Sequence, residues 1–168
     1  MRLPMAAAIV VLVAIAGCGG SSPAPVKRAA DPPRSAPVAA PKRHPKAAGK
    51  LVTVSGSAYG RILFDGHGRA LYLFTHDAGA RSRCSGACAS AWPPFLTRSA
   101  ARAGRGARQS LLGTTRRSDG STQVTYAGHP LYYYVGDRQP HQVLCQAVTE
   151  FGGTWYVVKP DGSPIRSS

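Results

Sequence analysis

The chain has 168 residues, room for one domain with appended tails. It carries 21 Lys and Arg against 7 Asp and Glu, a net charge of +14. Charged residues are only 17% of it, below the roughly 25% usual in soluble domains, so missing acids contribute as much as added bases. The composition excludes a coiled coil (14 Pro, few Glu and Lys), collagen (no Gly period) and a multi-span membrane protein.

The N-terminus reads as an export signal, assigned to residues 1–17. Met1-Arg2 supplies a positive start, and Met5 to Ala16 is an unbroken apolar run. That run is too short to cross a bilayer, which needs about 20 residues, and fits the apolar core of a secretory signal. It ends Ile15-Ala16-Gly17-Cys18. An aliphatic residue, two small residues and then Cys resembles the bacterial lipobox, which implies lipidation of Cys18 and tethering to the outer side of a cell membrane. Residues 18–50 follow as a tether rich in Pro and Ala, with almost no aliphatic or aromatic side chains. Such a stretch buries too little apolar surface to offset its ordering entropy and is expected to be disordered. Six of the fourteen net charges fall on it, counted from Gly19 to Lys50. Basic juxtamembrane segments are drawn to anionic lipid heads, and anionic wall polymers would serve similarly. An exported, membrane-held chain has no access to cytoplasmic nucleic acid, so the charge does not argue for that partner.

From residue 51 the sequence predicts a small all-β (β-rich) domain with one or two short helices. Leu51 to Val54 is a β-branched run. Arg61 to Phe64 and Ala70 to Thr75 flank Asp65-Gly66-His67-Gly68, the turn chemistry of a hairpin with a four-residue loop. A short helix fits Cys84 to Trp92 and would stop at Pro93-Pro94. Three arginines and little apolar content make Ser99 to Gln109 a mobile connector. A second hairpin follows, Leu111 to Arg117 with Ser121 to Tyr126 around Asp119-Gly120. Then come a turn at Ala127 to Pro130 and strands at Leu131 to Val135 and Thr154 to Lys159.

The connector divides two imperfect repeats. Gly68-x-x-Leu71-Tyr72-x-Phe74-x-x-Asp77 superposes on Gly128-x-x-Leu131-Tyr132-x-Tyr134-x-x-Asp137. Strand side chains alternate between faces, so Tyr72 and Phe74 share one face and Leu71 and Leu73 take the other. Both faces are apolar, as in a strand covered on two sides. Asp77 and Asp137 fall at strand ends, where a carboxylate can accept turn N–H groups; a carboxylate pair for acid–base chemistry is the competing reading. The expected organisation is a first repeat at about 51–97, a connector at 98–109 and a second repeat at about 110–162, within a domain spanning 51–168.

These motifs resemble the bacterial secreted-repeat lipoproteins, a family of unknown function defined by a Tyr-x-(Phe/Trp/Tyr)-x-x-Asp motif. Tyr72, Phe74 and Asp77 carry one copy, and Tyr132, Tyr134 and Asp137 the other. Cys84-x-x-x-Cys88-Ala89, Trp92-Pro93-Pro94 and Trp155-Tyr156-Val157-Val158-x-Pro160-Asp161-Gly162 extend the likeness. One departure stands out. Where the family is usually Gly-rich, between Asp137 and Trp155, this chain has His141-Gln142-Val143-Leu144-Cys145-Gln146.

With Cys18 set aside, Cys84, Cys88 and Cys145 remain. Export makes a disulfide the first expectation, and one helical turn brings Cys84 and Cys88 near the required separation. Pairing of Cys145 with one of them is an alternative. A third reading makes Cys84 and Cys88 a thiol-redox pair or soft ligands for copper. No nucleophile elbow, phosphate loop or zinc-type grouping is present. The function expected from the sequence is therefore non-catalytic binding or envelope association without a cofactor.

Overall fold

The structure is a computed structural model that describes residues 49–166. The expected signal at 1–17, the lipidation site Cys18 and nearly all of the tether lie outside the described residues.

In chain order the strands are β1 (Leu51–Ser57), β2 (Gly60–Asp65), β3 (Tyr72–Phe74), β4 (Arg102–Ala103), β5 (Leu112–Arg116), β6 (Thr122–Tyr126), β7 (His129–Pro130), β8 (Val148–Glu150) and β9 (Gly153–Val157). One short helix, α1 (Ala87–Ala91), follows β3. Among the described residues the strands form three three-stranded sheets, ordered β2-β1-β4, β3-β9-β8 and β5-β6-β7. The chain is thus β-rich, and its two repeats are interleaved rather than set side by side. Strand β3 of the first repeat pairs antiparallel with β9, close to the end of the second, with Leu73 opposite Tyr156.

Local sequence accounts for the main elements. In β1, Val52 and Val54 are buried and alternate with half-buried Thr53 and Ser55, the period of a sheet covered on one side. In β2, Ile62, Leu63 and Phe64 are all buried, because both faces are covered. Helix α1 ends where Pro93 and Pro94 follow Trp92, since proline lacks the N–H that another turn would need. The predicted second hairpin is present as β5 and β6, paired from Leu112–Tyr126 to Arg116–Thr122.

Three elements differ from expectation. The first hairpin closes only at its turn, with Asp65 N–H donating to Arg69 O at 2.9 Å and Leu71 N–H to Leu63 O at 3.1 Å. Beyond Leu71 the chain leaves β2 to join β9. Leu131 to Val135 is not a continuous strand; it makes single bridges from Tyr132 to Tyr72 and to Pro94. The connector is ordered. Its β4 lies parallel to β1, held by Arg102 N–H to Lys50 O at 2.8 Å, Gly104 N–H to Val52 O at 2.7 Å and Val54 N–H to Arg105 O at 2.8 Å. Backbone groups make this docking while the arginines stay exposed.

The core has two parts, one on each face of the central segments. Leu71, Leu73, Leu131 and Tyr133 lie in an aliphatic-rich cluster with Val52, Leu63 and Val124. Tyr72, Phe74 and Tyr132 lie in an aromatic cluster with Trp92 and Trp155. This is the two-faced partition that the alternation predicts.

Candidate functional site

Between the repeats, Tyr72 and Tyr132 face each other as an antiparallel pair. Tyr72 N–H donates to Tyr132 O and Tyr132 N–H to Tyr72 O, each at 2.9 Å. Their side chains then reach across to the opposite repeat. The Tyr72 hydroxyl donates to Asp137 Oδ2 at 2.6 Å, and the Tyr132 hydroxyl to Asp77 Oδ2 at 2.8 Å. The second oxygen of each carboxylate ties down the loop that follows. Asp77 Oδ1 accepts the Arg83 N–H at 2.8 Å, and Asp137 Oδ1 accepts the Leu144 N–H at 3.0 Å. The tyrosine and aspartate of each motif therefore form a reciprocal lock with the other copy.

Burial sets the electrostatics of this lock. It raises the Asp77 and Asp137 carboxyls above the ordinary 3.8, and the hydrogen bonds to each oppose the rise. Burial, reinforced by the neighbouring carboxylates, pushes the Tyr72 and Tyr132 hydroxyls well above the ordinary 10.0. The tyrosines consequently stay protonated as donors. Each carboxylate is already engaged by a tyrosine and a backbone N–H, so the two do not form a facing acid–base pair.

The other motif aromatics are packed. Trp155 is stacked between Phe74 (ring centroids 4.0 Å) and Trp92 (4.1 Å), and Trp92 donates Nε1–H to Glu150 Oε2 at 3.1 Å. Tyr134, the swapped aromatic, is half-buried with its ring 4.7 Å from Trp92. Interaction with Cys145, the free cysteine, raises the Tyr134 hydroxyl above its ordinary 10.0. Burial raises the Cys145 thiol above its ordinary 9.0, which keeps it a neutral thiol with little nucleophilic character at physiological pH.

Cys84 and Cys88 form a disulfide with Cα atoms 5.3 Å apart, and both are buried. In this form they offer no thiolate to a soft metal. Among the described residues no three His, Cys, Asp or Glu side chains come together to hold a metal ion. The disulfide loop is held from beneath by Arg117, whose guanidinium donates to Cys84 O at 2.7 Å, Gln123 Oε1 at 2.7 Å and Ser82 Oγ at 2.8 Å. Only 3% of the Arg117 side chain is exposed. Sequence reasoning missed this residue, and the sole hint was strand alternation, which turns Arg116 out and Arg117 in.

Sequence reasoning also missed a third tyrosine–aspartate contact, the Tyr133 hydroxyl to Asp65 Oδ2 at 2.8 Å. The other oxygen of Asp65 accepts the N–H groups of His67 and Arg69 within its turn. Among the described residues, three of the six carboxylates are thus taken up internally by tyrosines, while twelve of the fourteen Lys and Arg found there are exposed.

A family model described as a secreted repeat of unknown function matches the chain twice, over residues 53–95 and 113–159. The two matched segments are the halves that the tyrosine–aspartate lock joins. No curated protein and no solved structure matches the chain.

Proposed function

Because the chain belongs to the family of secreted repeats of unknown function, we propose that it works outside the cytoplasm as a lipid-anchored, non-catalytic binding or envelope-associated protein. The observation that carries this reading is the consumption of the motif by the fold. Tyr72, Tyr132, Asp77 and Asp137 spend their polar groups on one another and on loop N–H groups, so the repeat acts as a scaffold and leaves binding to its surface. The Ile15-Ala16-Gly17-Cys18 sequence supports the anchor, and the basic tether supports attraction to anionic lipid heads or wall polymers. Two or more acyl chains hold a protein stably where one is marginal.

Cell fractionation of a Cys18→Ser variant tests the anchor. The variant is expected to leave the membrane fraction and appear in the medium or wash. Membrane retention equal to that of the parent would refute lipidation.

A further inference from the structure

Beside the ordered connector lie two adjoining hollows of about 310 and 780 Å3 that share Thr97, Arg98, Ser99 and Thr122. They make one open groove, running from Ala101 and Gln109 past β5 to Gly120 in the β5–β6 turn. Arg98 and Lys50 line it, and both are exposed. Lys50 is held in place, since its carbonyl accepts the Arg102 N–H at 2.8 Å and its ammonium sits 5.9 Å from the centre of the Phe95 ring. The Gln109 amide and the hydroxyl groups of Thr97, Ser99, Thr114, Ser121 and Thr122 supply the rest of the polar lining, with the Thr97 and Ser121 hydroxyls donating to Ser99 O and Asp119 Oδ1 and keeping only acceptor capacity for a ligand. Among the described residues, none that lines the groove carries a carboxylate or an aromatic ring. The nearest acid in the turn, Asp119, is engaged by the Ser121 N–H and hydroxyl and by Arg117.

We propose that this groove binds a phosphodiester-linked polyol polymer. Two exposed cations, Lys50 and Arg98, match the repeating phosphate charge, and a hydroxyl-rich lining matches the hydrogen-bonding needs of the polyol between phosphates. An open groove suits a chain better than a single enclosed anion. Without an aromatic ring the groove has no stacking platform for bases, which sets the ligand apart from nucleic acid. Its concave shape, with Lys50 and Arg98 at the lining, also differs from the flat basic face that a bilayer would meet. The assignment rests on the extracytoplasmic binding reading above and names the partner chemistry for it.

The test uses the full chain in neutral detergent and a synthetic glycerol-phosphate oligomer. Titration calorimetry compares Lys50→Gln/Arg98→Gln with Arg138→Gln/Lys159→Gln, a second pair of exposed cations outside the groove. The groove pair is expected to weaken binding about tenfold or more and to reduce the log–log salt slope by about 1.5. The outer pair is expected to weaken binding by less than about twofold. Should the loss of the Lys50–Phe95 contact disturb folding, Arg98→Gln alone, expected to weaken binding about threefold, serves instead. Equal weakening by the two pairs overturns the proposal. So does binding of phosphatidylglycerol vesicles, or of a single-stranded oligonucleotide of matched charge, that is as tight and as dependent on Lys50 and Arg98. Membrane retention through Cys18 is scored separately by fractionation, so failure of the groove and failure of the anchor are distinguishable.

Discussion

Replacing Tyr72 by Phe removes one oxygen atom from the junction of the repeats and leaves the ring in place. That oxygen lies 2.6 Å from Asp137 Oδ2 in a site where Tyr72 is fully buried. Without it, Asp137 keeps the Leu144 N–H at 3.0 Å as its remaining hydrogen bond within the lock. A hydrogen bond to an ionised group contributes about 1.5–3 kcal/mol, and an unsatisfied buried acceptor adds to the loss. The expected destabilisation is therefore about 2–3 kcal/mol, or about 8–12 °C in Tm for a domain of this size. Urea unfolding followed by the fluorescence of Trp92 and Trp155, both fully buried, reads it directly. A double-mutant cycle with Asp137→Asn should show coupling of about 1–2 kcal/mol. The pH dependence has a definite sign. Burial raises the Asp137 carboxyl in the folded state, so its contribution to stability is fully present below 3.8 and is lost as pH rises through the folded value. The Tyr72 bond opposes that rise by favouring the ionised form, so Tyr72→Phe should be most damaging at neutral pH and milder near pH 4. A loss below about 0.5 kcal/mol, or one independent of pH, would refute the lock as a charge-assisted contact.

Two other substitutions bear on the same fold. Cys84→Ala/Cys88→Ala opens a five-residue loop and should lower stability by about 2 kcal/mol on chain-entropy grounds, measured as a urea midpoint shift without reductant. Loss of Cu(I) binding or thiol exchange in a variant of unchanged stability would point to working thiols instead. Ala147 sits at φ 58°, in the left-handed region that non-glycine residues enter at a penalty of about 1–2 kcal/mol. Ala147→Gly should raise the unfolding midpoint by the equivalent of up to about 1 kcal/mol, net of glycine's greater unfolded-state freedom; a lowered midpoint would show that the methyl group packs usefully.

Side-chain patterning made some of this architecture readable and hid the rest. Alternation in Leu71–Phe74 separates the two clusters correctly because burial on each face acts residue by residue. Pro93-Pro94 marks the end of α1, and Asp119-Gly120 marks the β5–β6 turn, because both signals are local. The Ser99–Gln109 connector looked mobile because its arginines carry no core signal, yet its docking uses main-chain groups, with Gly104 and Gly106 close against Thr53 and Val54. The tyrosine–aspartate exchange was out of reach for a different reason. Each motif shows a tyrosine and an aspartate five residues apart, and nothing within ten residues says that each will find its partner in the other copy. The departure from the family's glycines has a structural counterpart as well. His141 and Ala147 adopt φ of 62° and 58°, so the loop keeps a backbone that glycine would enter freely.

The pairing of β3 with β9 has a consequence for how the chain reaches its native state. Leu73 and Tyr156 are more than eighty positions apart, yet they lie side by side in one sheet, and Asp77 finds its tyrosine only in the second copy. A polypeptide delivered with its N-terminus leading presents the first half without the strand that completes it. Loop closure over such a span is slow, and interrupted intermediates expose apolar surface. Tyr72, Phe74 and Trp92 would stay uncovered until residues 153–157 arrive. Maturation thus becomes a late, all-at-once event, and a truncation before Trp155 should remove not a peripheral edge but the closing piece of both halves.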